Sequence, residues 1–323
     1  MIIEFDDGCW TEEDVEWKQG LVDLLTLLAN RSQHSVVAIP ALMLAWCEEY
    51  LKLHVDYFRA RLAAAQVRAN AVKIYISPTG ADSVEVLPPW TLKARAAYAI
   101  VNQPLRMLLE NDHSDRLFVE STIPSFASWC SRGWIVPEMG GGSDMKRKIL
   151  EASTDLTARW RTFYMFDSDR LHPAELNAGW SPQAPESCQG HVFEQACTQL
   201  PAGRWHRLER RSIENYLPES LLAASDANTA AALFDASVGT MAHFYNYKLG
   251  LTGDGVVPAT KPLRAARSQG FWTALSPASI TALKAGFGKK IAEAFCQLPE
   301  NHTWPVAVVN EMDALSDALQ DAI

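Results

Sequence analysis

Three short apolar runs, spaced by helix-length segments, constrain the middle of this chain more than any other feature. Leu105-Arg106-Met107-Leu108-Leu109 ends at Glu110, and Trp134-Ile135-Val136-Pro137 leads into Gly140-Gly141-Gly142. Phe163-Tyr164-Met165-Phe166 ends at Asp167-Ser168-Asp169. Parallel strands need a crossover long enough to hold a helix, so strand, helix, strand, helix, strand reads as a parallel α/β unit. Chemistry in such sheets collects outside the carboxyl ends of the strands. Glu110, Asp167 and Asp169 fall at those ends. The expected fold class is therefore α/β, a central parallel sheet with flanking helices and helical N- and C-terminal parts.

The 323 residues, 48% of them hydrophobic, suffice for one large domain or two ordinary ones. A net charge of −9 and a pI near 5.4 lack the global basic field of many nucleic-acid binders. Local patches can override that sum. Candidates are Arg204, Arg207, Arg210 and Arg211 in one run, and Lys284, Lys289 and Lys290 in another. The six cysteines are scattered, and the first seven residues hold three acids with no apolar leader. Reduced thiols in a cytoplasmic protein are the expectation. The apolar run 36–47 is broken by Pro40 and is too short to span a bilayer, so no membrane partner is expected.

Along the chain, helical spacing predicts a helix over 12–30 and a longer one from Pro40 to about Arg68. Alternation in 72–76 and 83–87, with Pro78-Thr79-Gly80 between, predicts a β-hairpin. The N-terminal hundred residues thus read as helix-rich with one hairpin. Beyond the central unit, 173–186 reads as a loop, 191–198 as a helix and 205–208 as a strand. Helices are expected over 228–244, 277–286, 290–296 and 306–319, with a Gly/Pro-rich break at 250–262.

Acids at neighbouring strand ends make a hard-oxygen site of the kind Mg²⁺ prefers. The chemistry such sites serve is commonly phosphoryl transfer or phosphodiester cleavage. Here the sequence resembles the TOPRIM pattern: a strand ending in Glu, a helix, a strand followed by glycines, a helix, and a strand ending in Asp-x-Asp. The likeness covers roughly 104–217. Glu110-Asn111-Asp112-His113-Ser114-Asp115 resembles the family's Glu-Gly-x-x-Asp opening, with Asn111 in place of Gly and the aspartate one residue later. Asp167-Ser168-Asp169 matches Asp-x-Asp. Ser212-Ile213-Glu214-Asn215-Tyr216-Leu217 resembles the branch found in OLD (overcoming lysogenization defect) nucleases, where a late Glu joins the metal site.

The resemblance implies a helix-rich region at 1–100, a TOPRIM-like catalytic domain at 101–220 and a helical region at 221–323. It implies a Mg²⁺- or Mn²⁺-dependent nuclease acting on DNA or RNA. Glu110, Asp167 and Asp169 would be core ligands, Asp115 and Glu214 would support a second ion, and Lys248 would lie near the scissile phosphate. OLD-like nucleases usually carry their own ATPase. None is present here, which implies a separately encoded ATPase, in the setting of anti-phage defence; a homo-oligomer is left open. The rival reading is a non-catalytic TOPRIM-like interaction or regulatory protein that binds a partner ATPase or nucleic acid.

Each acid alone has a plainer reading. Glu110 suits a helix start, and Asp167-Ser168-Asp169 suits a capped turn. Together with Glu214 they favour a site. A register with 116–120 as the strand would leave 104–109 without a role. Neither Gly140-Gly141-Gly142 nor Gly286-Phe287-Gly288-Lys289-Lys290 has P-loop spacing. Cys188, His191, Cys197 and His206 match no common zinc pattern. His113 reads as a loop histidine, and Trp180, Trp205 and Trp272 as core or interface residues that could also stack on bases.

Overall fold

The computed structural model describes residues 1–323 except 32, 65–70, 86, 112 and 300, and the side chain of Ser143. The chain first forms β1 (Ile2–Phe5), α1 (Val15–Arg31), β2 (Ser35–Val37), α2 (Pro40–Tyr50), α3 (Val55–Ala63), β3 (Lys73–Ala81), β4 (Trp90–Leu92) and α4 (Ala94–Val101). The four strands make a parallel sheet in the order β2-β1-β3-β4. The expected hairpin is therefore replaced by a parallel pair. β3 runs through Pro78-Thr79-Gly80 instead of turning there, and its partner is Trp90–Leu92, with Ile74 opposite Trp90. Trp90 and Leu92 are buried and can pay for the longer crossover, whereas Leu87 is half exposed. The expected helix from Pro40 is broken at Leu51, where a 3₁₀ turn intervenes before α3; its last residues lie outside those described.

The second sheet follows: β5 (Leu105–Leu109), α5 (Ser114–Thr122), α6 (Phe126–Ser131), β6 (Ile135–Met139), α7 (Gly142–Thr154), α8 (Ala158–Arg161), β7 (Thr162–Phe166), α9 (Gln189–Cys197) and β8 (Trp205–Arg207). Its order is β6-β5-β7-β8, all parallel. β7 is buried at all five positions, as a central strand covered on both faces must be. β6 carries Pro137, which an edge strand tolerates because one side of its backbone makes no ladder bonds. The chain goes from β5 out to β6, then returns to β7 on the other side of β5. That reversal opens a crevice between the carboxyl ends of β5 and β7.

The remainder is α10 (Glu219–Ser225), α11 (Ala227–Leu233), α12 (Gly250–Gly253), α13 (Pro262–Arg267), α14 (Pro277–Ala282) and α15 (Val306–Ala322), linked by 3₁₀ turns. The helix expected over 228–244 splits into α11 and a 3₁₀ turn at Gly239–Phe244. One apolar core runs from Leu105 through Phe163 and Tyr245 to Ile323, so the C-terminal segments pack on the same core as β5 and β7. The first sheet has its own core. No helix among the described residues is long and apolar enough to cross a membrane.

The arginine run at 204–211 does not form a basic surface. Arg204, Arg207 and Arg211 are buried, and Arg210 lies over the Tyr216 ring and donates to the Asn215 carbonyl. Arg207 donates twice to the Ser168 carbonyl, at 3.2 and 2.6 Å. Arg211 forms a two-pronged pair with buried Asp254, at 2.5 and 2.6 Å, and its carbonyl accepts the Ser168 and Asp169 amides. Removing one member of a buried pair strands the other charge. Arg211→Met should therefore cost about 3–5 kcal/mol of unfolding free energy. Urea titration reads this as a lower midpoint, and Arg211→Met with Asp254→Leu should recover most of the loss.

Candidate active site

Glu110 follows β5 and Asp167 follows β7, neighbours in the sheet on either side of the crevice. Glu110 turns back across the strand ends, and its Oε1 accepts the Asp167 amide at 2.8 Å. Asp167 Oδ1 accepts the Ile213 amide at 3.2 Å, which draws the Ser212–Tyr216 turn onto the β7 end. That turn is closed by reciprocal bonds between Ser212 and Asn215, the capping-box arrangement. Asn215 also donates to the Ala242 and Tyr245 carbonyls, which fixes the turn against the segment leading to Lys248.

Glu214, carried on this turn, is fully buried. Its Oε2 accepts the Ser212 hydroxyl at 2.6 Å, and its Oε1 stands 2.8 Å from Lys248 Nζ. The latter contact is an ion pair whose angle falls short of a hydrogen bond. Asp115, in the first turn of α5, is also buried and accepts the Asn111 amide at 2.9 Å. Asp169 has a left-handed backbone, φ 53°, and its Oδ2 accepts the Gly190 amide at 3.1 Å. A side chain on Gly190 would meet the Asp167 and Ser168 carbonyls at 2.5 Å, so only glycine lets α9 approach the loop this closely.

The charges act on one another. Burial pushes Glu110 up to about 8, aided by Asp169 and Asp115 and opposed by the Asp167 amide and Lys248. Burial likewise raises Asp115 to about 6, with Glu214 adding to it. Asp167 is held well above the carboxylate range by burial, Glu110 and Glu214. Burial would lower Lys248, but Glu214 and Asp167 outweigh it and hold the ammonium above its ordinary value. Glu110, Asp115, Asp167, Glu214 and Lys248 are thus one interacting group, with Asp169 at its edge. Among the described residues, no three His, Cys, Asp or Glu side chains are grouped so as to enclose an ion.

Other candidates lie elsewhere. Asp112 is outside the described residues, and His113 is exposed. Cys188 and Cys197 are buried thiols, and His206 pairs with Glu311. Trp272 is core, Trp205 stacks on Phe166, and Trp180 lies under Arg267. Arg207 and Arg211, expected from the sequence in a basic patch, support the site from inside the fold, as do Ser212 and Glu311, the last of which had not been singled out. Glu311 accepts the Tyr216 hydroxyl and the Glu209 amide, pinning the turn to α15. The Ser-x-x-Asn spacing at 212–215 was the one signal available for the turn. No family model, no curated protein and no solved structure matches this chain.

The raised Glu110 has a consequence for stability. Between its ordinary value of 4.5 and about 8, the folded chain holds a proton that the unfolded chain has released. Stability from this position is present at low pH and falls as pH rises through that window. Glu110→Gln should melt above wild type at pH 8.5 and draw level near pH 5. Melting curves for the two proteins that run parallel across this range would exclude Glu110 as the titrating group.

Proposed function

We propose that this protein is a Mg²⁺- or Mn²⁺-dependent TOPRIM nuclease similar to the OLD family, cleaving phosphodiester bonds in DNA or RNA in the cytoplasm. The observation that supports it is the gathering of Glu110, Asp115, Asp167 and Glu214 with Lys248 at the crevice between β5 and β7. The donors are carboxylate oxygens alone, which suits Mg²⁺ or Mn²⁺. The suppressed ionisation of Glu110, Asp115 and Asp167 is what a divalent cation would relieve. The TOPRIM likeness implies Glu110, Asp167 and Asp169 as ligands of one ion, with Asp115 and Glu214 supporting another; as placed, these side chains are not grouped around an ion, so binding would require Asp169 to leave the Gly190 amide. A divalent cation held by these carboxylates would supply Lewis-acid stabilisation of charge at the scissile phosphate.

The chain's own residues do the rest. Lys248 is 42% exposed at its side chain, so its ammonium can face a bound phosphate while Glu214 orients it from below. Ser212 holds Glu214, and Arg207 and Arg211 hold the Ser168–Asp169 backbone. The effector role in anti-phage defence, with a separately encoded ATPase, rests on the OLD likeness of Ser212 to Leu217.

One observation favours the second reading, a non-catalytic interaction protein. Glu110, Asp169 and Glu214 are each satisfied internally, by the Asp167 amide, the Gly190 amide and Lys248. Purified protein incubated with plasmid, linear DNA and structured RNA, plus Mg²⁺ or Mn²⁺, with and without a neighbouring ATPase, separates the two. Asp167→Asn should keep the fold and lose cleavage by about 100-fold or more. Equal activity at equal folding would remove Asp167 from the chemistry. Glu214→Gln should reduce the Mn²⁺-induced rise in melting temperature; an undiminished rise would take Glu214 out of the metal site and weaken the OLD assignment.

A further inference from the structure

The run Gly286-Phe287-Gly288-Lys289-Lys290 is not a P-loop, yet it is joined to the candidate site. Gly286 has φ 70° and Gly288 φ 96°, so both turn the chain through the left-handed region. A side chain at Gly286 would meet the Gly250 amide at 2.6 Å and the Tyr247 carbonyl at 2.7 Å. This close approach lets Phe287 donate to the Tyr247 carbonyl at 2.6 Å and Gly288 to the Lys248 carbonyl at 3.1 Å. The basic loop is therefore bonded to the backbone of the lysine that faces Glu214.

Beside the loop lies an open recess of about 550 Å³, lined by α10 residues, by Lys289 and Lys290, and by Glu293. α10 begins two residues after Leu217, the end of the turn that carries Glu214. The α10 and lysine-loop linings of the recess thus continue from segments that build the site. Lys284, Lys289 and Lys290 are exposed. Lys290 is loosely paired with Glu293 at 3.6 Å, and among the described residues Lys284 and Lys289 have no acid partner. The arginines at 204–211 are mostly spent inside the fold, so of the two basic runs singled out in the sequence this lysine cluster is the one that stays at the surface.

We infer that this recess holds the phosphodiester backbone of a nucleic-acid strand leading to the Glu110–Asp167–Glu214 crevice, with Lys289 and Lys290 as its phosphate contacts. The inference rests on the nuclease reading for its direction, and on the recess itself for the contact. Exposed lysine ammoniums engage phosphates as point charges, which gives affinity without base specificity.

The test is binding of labelled single-stranded DNA and RNA 20-mers in EDTA, by fluorescence anisotropy across a salt series, with cleavage assayed separately in Mn²⁺. Lys289→Glu with Lys290→Glu should weaken binding by tenfold or more. It should also flatten the salt dependence by about 0.7 per lysine on a single strand, and raise KM with little change in kcat. Lys52→Glu with Arg59→Glu makes the same change in net charge on the first sheet's surface and should leave binding nearly unchanged. Unchanged binding by the Lys289/Lys290 variant, or an equal loss in the control, overturns the inference even if the wild type cleaves. A loss confined to the Lys289/Lys290 variant upholds it even if the wild type proves not to cleave. A wild type that binds polyglutamate but neither nucleic acid overturns it in favour of an acidic protein partner.

Discussion

The ion pair between Lys248 and fully buried Glu214 is the interaction on which the rest of the site depends. A carboxylate with no solvent exposure is costly unless it is paired. Around it stand Asp115, Asp167 and Glu110, all of which burial and mutual repulsion push towards the neutral form. Backbone amides of Asp167, Asn111 and Ile213 hold the three in place beside the pair.

What keeps those elements together is largely arginine. Arg207 clamps the Ser168 carbonyl, and Arg211 joins the Ser168–Asp169 backbone to Asp254 far along the chain. Arg267 reaches the Asp169 carbonyl and pairs with Glu175. Each guanidinium offers several donors in a fixed plane, so one side chain can satisfy carbonyls from two segments at once. The C-terminal third, which contributes Lys248, Asp254, Arg267 and Glu311, is part of the framework that shapes the strand ends.

The two sheets share one strand order, with the second-formed strand at one edge and the third returning beside the first. In the later sheet the acids at two neighbouring strand ends are joined, Glu110 accepting the Asp167 amide. The earlier sheet departs from the alternation pattern because its strands are brief. β2 and β4 are three residues each, too short for alternation to register, and the pattern at 83–87 resembled a better partner for β3 than Trp90–Leu92. Strand pairing of this kind is decided by which side chains are buried, and Trp90 and Leu92 belong to the first core.

The sequence by itself determined the parallel α/β character of 105–170 and the placement of Glu110 and Asp167 just past the ends of β5 and β7. Those features are local: apolar runs of strand length, separated by helices, terminated by acids. Tertiary structure alone decided that β5 and β7 are adjacent, that the arginine run is internal, and that Lys248 meets Glu214. It also decided that Asp169 turns to the Gly190 amide instead of joining the other acids. The reason is physical. A charge at a strand end is visible in one dimension, but its partner is chosen by packing between segments tens of residues apart, where burial decides which charges must find each other.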